Sequence, residues 1–266
     1  MNDYAYDFIR KLKHWLQPTE HIFRDLQQYV LGDVKQHRIF IDRGGSVLFV
    51  AHLDSVQKPN FIRYRKTKSG KIKRIYASGL DDRLGAMLAF VLSKELKADL
   101  LLTDYEERMQ TTAKYHNCKD YNWIVEFDRA GYDVVTYDLS SIEFDNTLQE
   151  YWSVNYGAYS DICELKTDAC CFNLGIGYEL AHSRNSYCDV KTVKQQIELF
   201  RRFYVTYKDV QFKQDEKSDY WQDNYTIDRC DICGMVNAEL MYSWYICQDC
   251  FEQMVYEKVL EREQSV

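Results

Sequence analysis

Proline, long apolar runs and an excess of basic charge are all missing from this sequence. Only 2 of its 266 residues are proline, which disfavours long disordered linkers. No run of about 18 apolar residues occurs, so no transmembrane helix is predicted. The formal net charge is −7, and this acidic balance disfavours general nucleic-acid binding, which needs a basic surface.

The amino terminus also lacks the basic and then apolar pattern of a secretory signal. We therefore expect a cytoplasmic protein that does not bind membranes. In that reducing compartment, the 9 cysteines are expected to be thiols or metal ligands rather than disulfides. Five of them are expected to fill apolar space in the core, namely Cys118, Cys163, Cys170, Cys171 and Cys188.

The other four cysteines form two Cys-x-x-Cys pairs. Cys230 and Cys233 make the first pair, Cys247 and Cys250 make the second, and 13 residues separate the pairs. Two such pairs at this distance indicate a structural zinc ion held by four thiolates. The surrounding residues are mostly acidic. The predicted zinc ribbon therefore favours a protein partner, or docking within the chain, over nucleic acid.

The remainder of the chain alternates between strand and helix patterns. Apolar runs such as Val47–Val50 predict strands, and the apolar periodicity of Asp82–Leu96 predicts a helix. This alternation predicts an α/β fold, a three-layer α/β/α domain around a mixed, mostly parallel sheet. We assign the main domain to residues 1–210, a polar linker to 211–224, and the zinc ribbon with a terminal helix to 225–266.

A histidine and an aspartate follow the predicted strand Val47–Val50. His52 and Asp54 are two residues apart, so they point to the same side of an extended chain. They lie at the carboxyl end of a strand, where open α/β sheets carry their sites. A carboxylate beside an imidazole fixes the ring orientation and the tautomer that metal binding needs.

More acidic residues and another histidine follow in order, each near the end of an apolar segment. They are Asp81-Asp82, Glu106-Glu107, Asp128 and His182. With His52, they supply a histidine and a terminal carboxylate for each of two metal ions. They also supply a bridging carboxylate and a free carboxylate that accepts a proton. A binuclear zinc hydrolase needs this complete set.

In order and residue type, the set resembles the zinc-dependent exopeptidase superfamily. That superfamily includes the di-zinc aminopeptidases and the aminoacylase-like and carboxypeptidase-G-like amidohydrolases. The resemblance covers roughly residues 45–190. Only 53 residues separate Asp128 from His182, so the chain is similar to compact members without an inserted lid domain.

The resemblance implies a role for each of these residues. Asp54 would orient His52, Asp81 would bridge the two ions, and Glu106 would be the general base. The implied zinc ligands are His52, Asp81, Glu107, Asp128 and His182.

One ligand position has two candidates. Asp161 competes with Asp128 as the last carboxylate ligand, and Asp128 is preferred because it directly follows an apolar strand.

The implied reaction is hydrolysis of a peptide or amide bond by a zinc-bridging water, with Glu106 taking its proton. Two catalytic zinc ions and one structural zinc ion are expected, and cobalt or manganese would also suit the catalytic ligands. One alternative is a deacylase or amidase that acts on a non-peptide metabolite. Another is a binding or adaptor protein that keeps a hydrolase scaffold and uses the zinc ribbon for recognition.

A basic stretch at residues 63–74 is the local exception to the acidic charge. Its alternating pattern around Lys68-Ser69-Gly70-Lys71 predicts a protruding β-hairpin. The hairpin is interpreted either as a solvated surface element or as a contact for an acidic substrate or partner. Arg83, Arg129 and Arg184 are candidate carboxylate anchors or, alternatively, members of structural ion pairs.

Overall fold

A large β-sheet with helices packed on it forms the main part of this protein. The computed structural model describes residues 2–58, 62–215, 239–241 and 244–246. The chain divides into two compact units, residues 1–154 with 160–214 and residues 155–159 with 215–266. The α-helices are α1 (Asn2–Trp15), α2 (Thr19–Asp25), α3 (Leu80–Leu96), α4 (Ile142–Gln149) and α5 (Val190–Tyr207). The strands are β1 (Val30–Leu31), β2 (Arg38–Ile41), β3 (Val47–His52), β4 (Arg63–Lys66), β5 (Ile72–Tyr76), β6 (Asp99–Thr103), β7 (Trp123–Arg129), β8 (Val134–Val135), β9 (Val154–Asn155), β10 (Cys171–Gly175), β11 (Tyr178–Glu179), β12 (Tyr187–Asp189), β13 (Glu239–Met241) and β14 (Trp244–Ile246).

The central strands of the large sheet are parallel, and its outer strands are antiparallel. The strand order is β1-β2-β6-β3-β7-β10-β8-β9. The neighbours β6-β3, β3-β7 and β7-β10 pair in parallel, whereas β1-β2, β2-β6 and β10-β8 pair antiparallel. The predicted α/β fold around a mixed, mostly parallel sheet is therefore confirmed. Among the described helices, none is both long and apolar enough to span a lipid bilayer.

Side chains alternate between the two faces of this sheet. On one face, Phe49 of β3 packs against Phe127 of β7 and Phe200 of α5, in a cluster that also contains residues of α1, α3 and α4. On the other face, a smaller apolar cluster includes residues of the 3-10 helices Thr112–Tyr115 and Asp161–Glu164. Because both faces are covered, β3 and β6 are buried along their whole length, as their uninterrupted apolar sequences predict.

The carboxyl ends of the parallel strands meet at one edge of the sheet. β3 ends at His52 and β6 ends at Thr103, and these two residues are register partners. β7 lies on the other side of β3 and ends at Arg129. Polar residues that follow strands far apart in the sequence are thereby brought to one place.

A second sheet carries the basic hairpin. Its strand order is β11-β12-β5-β4, and β4 pairs antiparallel with β5 through a turn at residues 67–71. β5 is followed directly by α3, and the loop between β11 and β12 contains His182. The second sheet therefore connects the hairpin to the segments that hold Asp81 and His182.

In the second unit, β13 and β14 pair antiparallel. In the sequence, this hairpin lies between the two Cys-x-x-Cys pairs. The four cysteines predicted to bind zinc lie outside the described residues, namely Cys230, Cys233, Cys247 and Cys250.

Gly85 allows α3 to lie directly against β7. A Cβ atom at this position would lie 1.5 Å from the backbone oxygen of Phe127 and 2.1 Å from Oδ1 of Asp82. Neither atom is free to move, since Phe127 is in the sheet and Oδ1 of Asp82 accepts a hydrogen bond from the Gly85 N–H at 2.9 Å. The absence of a side chain at Gly85 therefore allows the start of α3 to lie close to β7.

We expect Gly85→Ala to destabilise the protein, although alanine normally favours a helix over glycine by about 1 kcal/mol. The added methyl group forces α3 away from β7, so the free energy of unfolding should fall by at least about 2 kcal/mol. Urea unfolding followed by circular dichroism measures the difference. Lys94→Ala, at an exposed position of the same helix, should change that free energy by less than about 0.5 kcal/mol. A Gly85→Ala variant as stable as the wild type would contradict this account of the packing.

Candidate metal centre

His52 is fully buried at the carboxyl end of β3. Its Nδ1 atom lies 3.1 Å from the backbone oxygen of Asp54 and 3.3 Å from Oδ1 of the same residue. A proton on Nδ1 satisfies these acceptors and leaves the lone pair of Nε2 available to a cation. Asp54 thus holds the imidazole with Nε2 facing the acidic residues of the site.

The side chain of Asp54 also fixes the turn that contains the glutamate pair. Its Oδ1 accepts a hydrogen bond from the backbone N–H of Glu106, and its Oδ2 accepts one from the backbone N–H of Glu107, each at 3.1 Å. Both glutamates belong to the 3-10 helix Glu106–Arg108, which follows β6. The start of a short helix leaves N–H groups without intrahelical partners, and here Asp54 satisfies two of them.

Asp81 lies between the two histidines. Its Oδ1 is 3.4 Å from Nε2 of His52, and its Oδ2 is 3.1 Å from Nε2 of His182. The adjacent Asp82 has a different role, because its carboxylate accepts backbone hydrogen bonds from Gly85 at 2.9 Å and from His52 at 3.3 Å. Asp82 therefore caps the regular part of α3, while Asp81 faces both histidines.

Each histidine has another carboxylate beside it. Oδ1 of Asp128 lies 3.2 Å from Nε2 of His52, and Oε2 of Glu107 lies 3.0 Å from Nε2 of His182. The site therefore consists of two histidine–carboxylate pairs joined through Asp81. Two groups of three residues each have all their ligand atoms within 4.8 Å of one another. One group is His52 with Asp81 and Glu107, and the other is His52 with Asp82 and Asp128.

These residues fit a divalent cation. Nε2 of His52 and Oδ1 of Asp128 are buried, and neither atom has a hydrogen-bond partner among the described residues. A buried polar atom without a partner costs about 1–3 kcal/mol, and a cation held between these two atoms would satisfy both. Imidazole nitrogen and carboxylate oxygen are ligands that zinc and other divalent transition metals accept.

Glu106 lies beside the buried histidine, with its Oε2 3.8 Å from Nε2 of His52. Burial raises the pKa of Glu106 to about 8. Burial also raises the pKa of Asp128 to about 7 and that of Asp161 to about 6. Carboxylates that crowd together away from water are stabilised either by protons or by a bound cation.

Glu126 also lies in this region and is not among the site residues that the sequence predicts. Glu126 lies on β7 and is fully buried, and neither of its carboxylate oxygens has a hydrogen-bond partner among the described residues. Burial raises its pKa well above the ordinary value. The two-residue alternation of a strand places it on the same face as Asp128, and this signal is visible in the sequence. Its burial is not visible there, because it depends on the neighbouring strands.

Asp161, the alternative to Asp128, is also fully buried. Its Oδ2 accepts a hydrogen bond from the hydroxyl group of Thr103. Asp128 differs in that its Oδ1 lies 3.2 Å from Nε2 of His52.

Two of the three candidate carboxylate anchors have structural partners. Arg83 is buried and donates a hydrogen bond of 2.8 Å to the hydroxyl group of Thr19. Arg129 makes a two-point ion pair with Asp133, with both distances at 2.8 Å. Arg184 is exposed in the loop between β11 and β12.

Comparison with known proteins gives matches in structure only. No protein-family model matches the sequence, and no curated protein matches it significantly. The aminopeptidase PepT of Bacillus cereus is similar, with a TM-score of 0.51 and 11% sequence identity, over 74% of this chain and 96% of that one. A tripeptidase of Staphylococcus aureus is similar with a TM-score of 0.52 and 12% identity, again over 74% and 96%. The chain therefore has an α/β fold similar to that of these peptidases.

We expect the metal-free protein to become less stable as the pH rises from about 5 to about 8. In this range the folded state releases protons from Asp161, Asp128 and Glu106 only as the pH passes their pKa values of about 6, 7 and 8. Carboxyl groups of an unfolded chain, with pKa values of about 4, have already released theirs. Hydrogen bonds to two carboxylates raise the pKa of His182 to about 10. Above about pH 6.5, the ordinary pKa of histidine, this shift also makes the folded state bind more protons than the unfolded chain. Because the folded state binds more protons, the free energy of unfolding falls with pH, by about 2 kcal/mol or more.

Urea unfolding in the presence of a chelator, at about pH 5, 6.5 and 8, measures this trend. A Cys230→Ser/Cys233→Ser background removes the predicted zinc site of the tail from the comparison. Glu106→Gln should reduce the slope, since it removes one of the titrating groups, and added zinc should remove the decline because the cation replaces the protons. A free energy of unfolding that increases with pH in the chelated protein would contradict the prediction.

Proposed function

We propose that this protein is a di-zinc hydrolase that cleaves peptide bonds. One observation carries the proposal: Asp81 lies between His52 and His182, and each histidine has a further carboxylate beside it. Such a set suits a binuclear site, with His52 and Asp128 on one ion, His182 and Glu107 on the other, and Asp81 shared. The similar fold of the two matched peptidases supports the same class of reaction.

Glu106 is proposed as the general base and then the general acid. Zinc held by these residues would polarise the substrate carbonyl group and lower the pKa of water to about 7. As the water oxygen bonds to the carbonyl carbon, Glu106 takes the proton that the water releases. As the carbon–nitrogen bond breaks, Glu106 passes this proton to the leaving amine nitrogen. Glu106 suits this role because its Oε2 lies 3.8 Å from Nε2 of His52 and its backbone is held by Asp54.

The proposed substrates are short peptides. The matched Bacillus cereus protein is an aminopeptidase, and the Staphylococcus aureus protein is a tripeptidase. The two proposed metal sites also differ in exposure, since the side chain of His52 is 0% exposed and that of His182 is 55% exposed. A peptide would therefore reach the centre from the side of His182.

A structural zinc ion in the tail is part of the proposal. The spacing of the two Cys-x-x-Cys pairs supports it, and so does the β13-β14 pairing that lies between them in the sequence. Four thiolates would complete a tetrahedral shell and leave no open position for catalysis. We propose that this zinc ribbon binds a protein partner, because its acidic surroundings disfavour nucleic acid.

Replacing Glu106 with glutamine should remove the proton transfer and keep the shape of the side chain. We expect kcat on short peptides to fall by about 10²–10⁴-fold with a small change in KM, and the zinc content to stay at the wild-type level. Steady-state kinetics and plasma mass spectrometry measure these quantities. Glu143→Gln, at an exposed position of α4, is the matched control. Retention of full activity in Glu106→Gln would exclude the proposed base.

Metal content tests the proposed ligands. We expect about three zinc ions per wild-type chain and about two in Cys230→Ser/Cys233→Ser. In that background, Asp128→Asn should lower the content further, whereas Asp161→Asn should keep about two ions. Plasma mass spectrometry after gel filtration gives the ratios. A single zinc ion in the wild type, or a larger loss from Asp161→Asn than from Asp128→Asn, would contradict the proposed arrangement.

A further inference from the structure

A groove of about 490 Å³ lies on the second sheet, outside the proposed metal centre. Its lining includes three arginines and two partly buried tyrosines, namely Arg63, Arg65, Arg74, Tyr76 and Tyr187. These residues come from β4, β5 and β12. The groove is therefore built from the basic hairpin and the strand beside it.

Strand register places these side chains on the outward face of the sheet. Ile75 on β5 and Cys188 on β12 are register partners and fully buried, so their neighbours along each strand point away from the core. Tyr76 is the register partner of both Arg63 and Tyr187. The pairing itself thus brings arginine and tyrosine side chains together.

Two acidic side chains, Asp189 and Glu179, lie on the same face of the sheet as the groove arginines. Arg65 is the register partner of Arg74, and like charges opposite each other on neighbouring strands are destabilising. Among the described residues, no carboxylate forms an ion pair with any of the three arginines. Asp189 is the register partner of Arg74, but its carboxylate accepts a hydrogen bond from the backbone N–H of Lys191 at the start of α5.

One of these arginines, Arg74, is also held in place. The guanidinium group of Arg74 stacks over the ring of Tyr187 at 4.5 Å from the centroid, and the rings of Tyr187 and Tyr76 are 5.6 Å apart. A stacked guanidinium group loses little entropy when it binds an anion, and its fork of donors matches the two oxygens of a carboxylate. The groove thus has the charge and the geometry to bind a carboxylate.

Residues on two sides of the groove lie near proposed metal ligands along the chain. Leu180 and Asn185 line it, and His182 lies between them in the same loop. Two residues span at most about 7 Å of chain, so Leu180 is within that distance of His182. On the other side, Tyr76 ends β5, and Asp81 follows in the first turn of α3. The Leu180 end of the groove therefore lies close to the proposed ligand His182.

We infer that this groove binds a carboxylate group of a short peptide substrate. The inference rests on the proposed peptidase function. The bound carboxylate is either the side chain of a glutamate or aspartate or the carboxyl terminus of the peptide. Arg65 and Arg74 supply the positive charge, and Arg63 adds to it at the edge of the sheet.

Calorimetric titration of the zinc-loaded Glu106→Gln variant with peptides tests the inference. This variant keeps the groove, and its proposed loss of proton transfer prevents rapid cleavage of the peptides during the titration. Comparing the peptide Ala-Glu-Ala with Ala-Gln-Ala isolates a side-chain carboxylate. Comparing Ala-Gln-Ala with its carboxyl-terminal amide isolates the terminal one. We expect at least one carboxylate to tighten binding by about tenfold.

This gain should disappear when Arg65→Gln and Arg74→Gln are added. It should persist when Lys68→Gln and Lys71→Gln are added, since they remove the same charge at the tip of the hairpin. Thermal unfolding confirms that both variants are folded. If neither the side-chain nor the terminal carboxylate tightened binding, or if the gain survived the loss of both arginines, the inference would be overturned.

Hydrolysis assays on the wild type distinguish a failure of the inferred carboxylate site from a failure of the proposed peptidase function. Cleavage with the same kcat/KM whether or not the peptide carries either carboxylate would leave the peptidase function intact and overturn the carboxylate site. Carboxylate-dependent binding without cleavage of any peptide would overturn the peptidase function and support the groove as a binding site.

Discussion

The candidate centre depends on the hydrogen bonds and contacts that the carboxylate of Asp54 makes. This carboxylate lies against His52 at the end of β3 and accepts backbone hydrogen bonds from Glu106 and Glu107 after β6. Asp54 and Glu106 are 52 residues apart in the sequence, but their strands are parallel neighbours. One side chain therefore orients both the buried histidine and the glutamate turn, because it satisfies donors from two strands that end at the same edge.

Crowded negative charge is the second constraint on this edge of the sheet. Glu106, Glu126, Asp128 and Asp161 are buried or nearly so, and burial raises the pKa of each one. Ionised carboxylates cannot share a poorly solvated space unless protons or cations offset their repulsion. Cation binding and folding stability are therefore linked through the same groups, so the acidity that suits the site for metal also makes the metal-free fold sensitive to pH.

The proposed substrate groove is formed by a hairpin instead of an inserted domain. The segment between Asp128 and His182 contains β8, α4, β9, β10 and β11, which belong to the two sheets and the helices packed on them. The hairpin of β4 and β5 lies instead between His52 and Asp81 in the sequence. Its facing arginines, Arg65 and Arg74, disfavour strand pairing, and such local conflicts are expected where a surface serves binding.

The sequence by itself determined the fold class and the order of the site residues. Uninterrupted apolar runs specify buried parallel strands, and the two-residue spacing of His52 and Asp54 specifies a common side, because both signals are local. Only the tertiary structure decided that Asp81 lies between two histidines, that Asp128 and not Asp161 contacts His52, and that Glu126 is buried. These outcomes depend on strand register and loop closure between residues far apart in the chain, and no local pattern encodes those contacts.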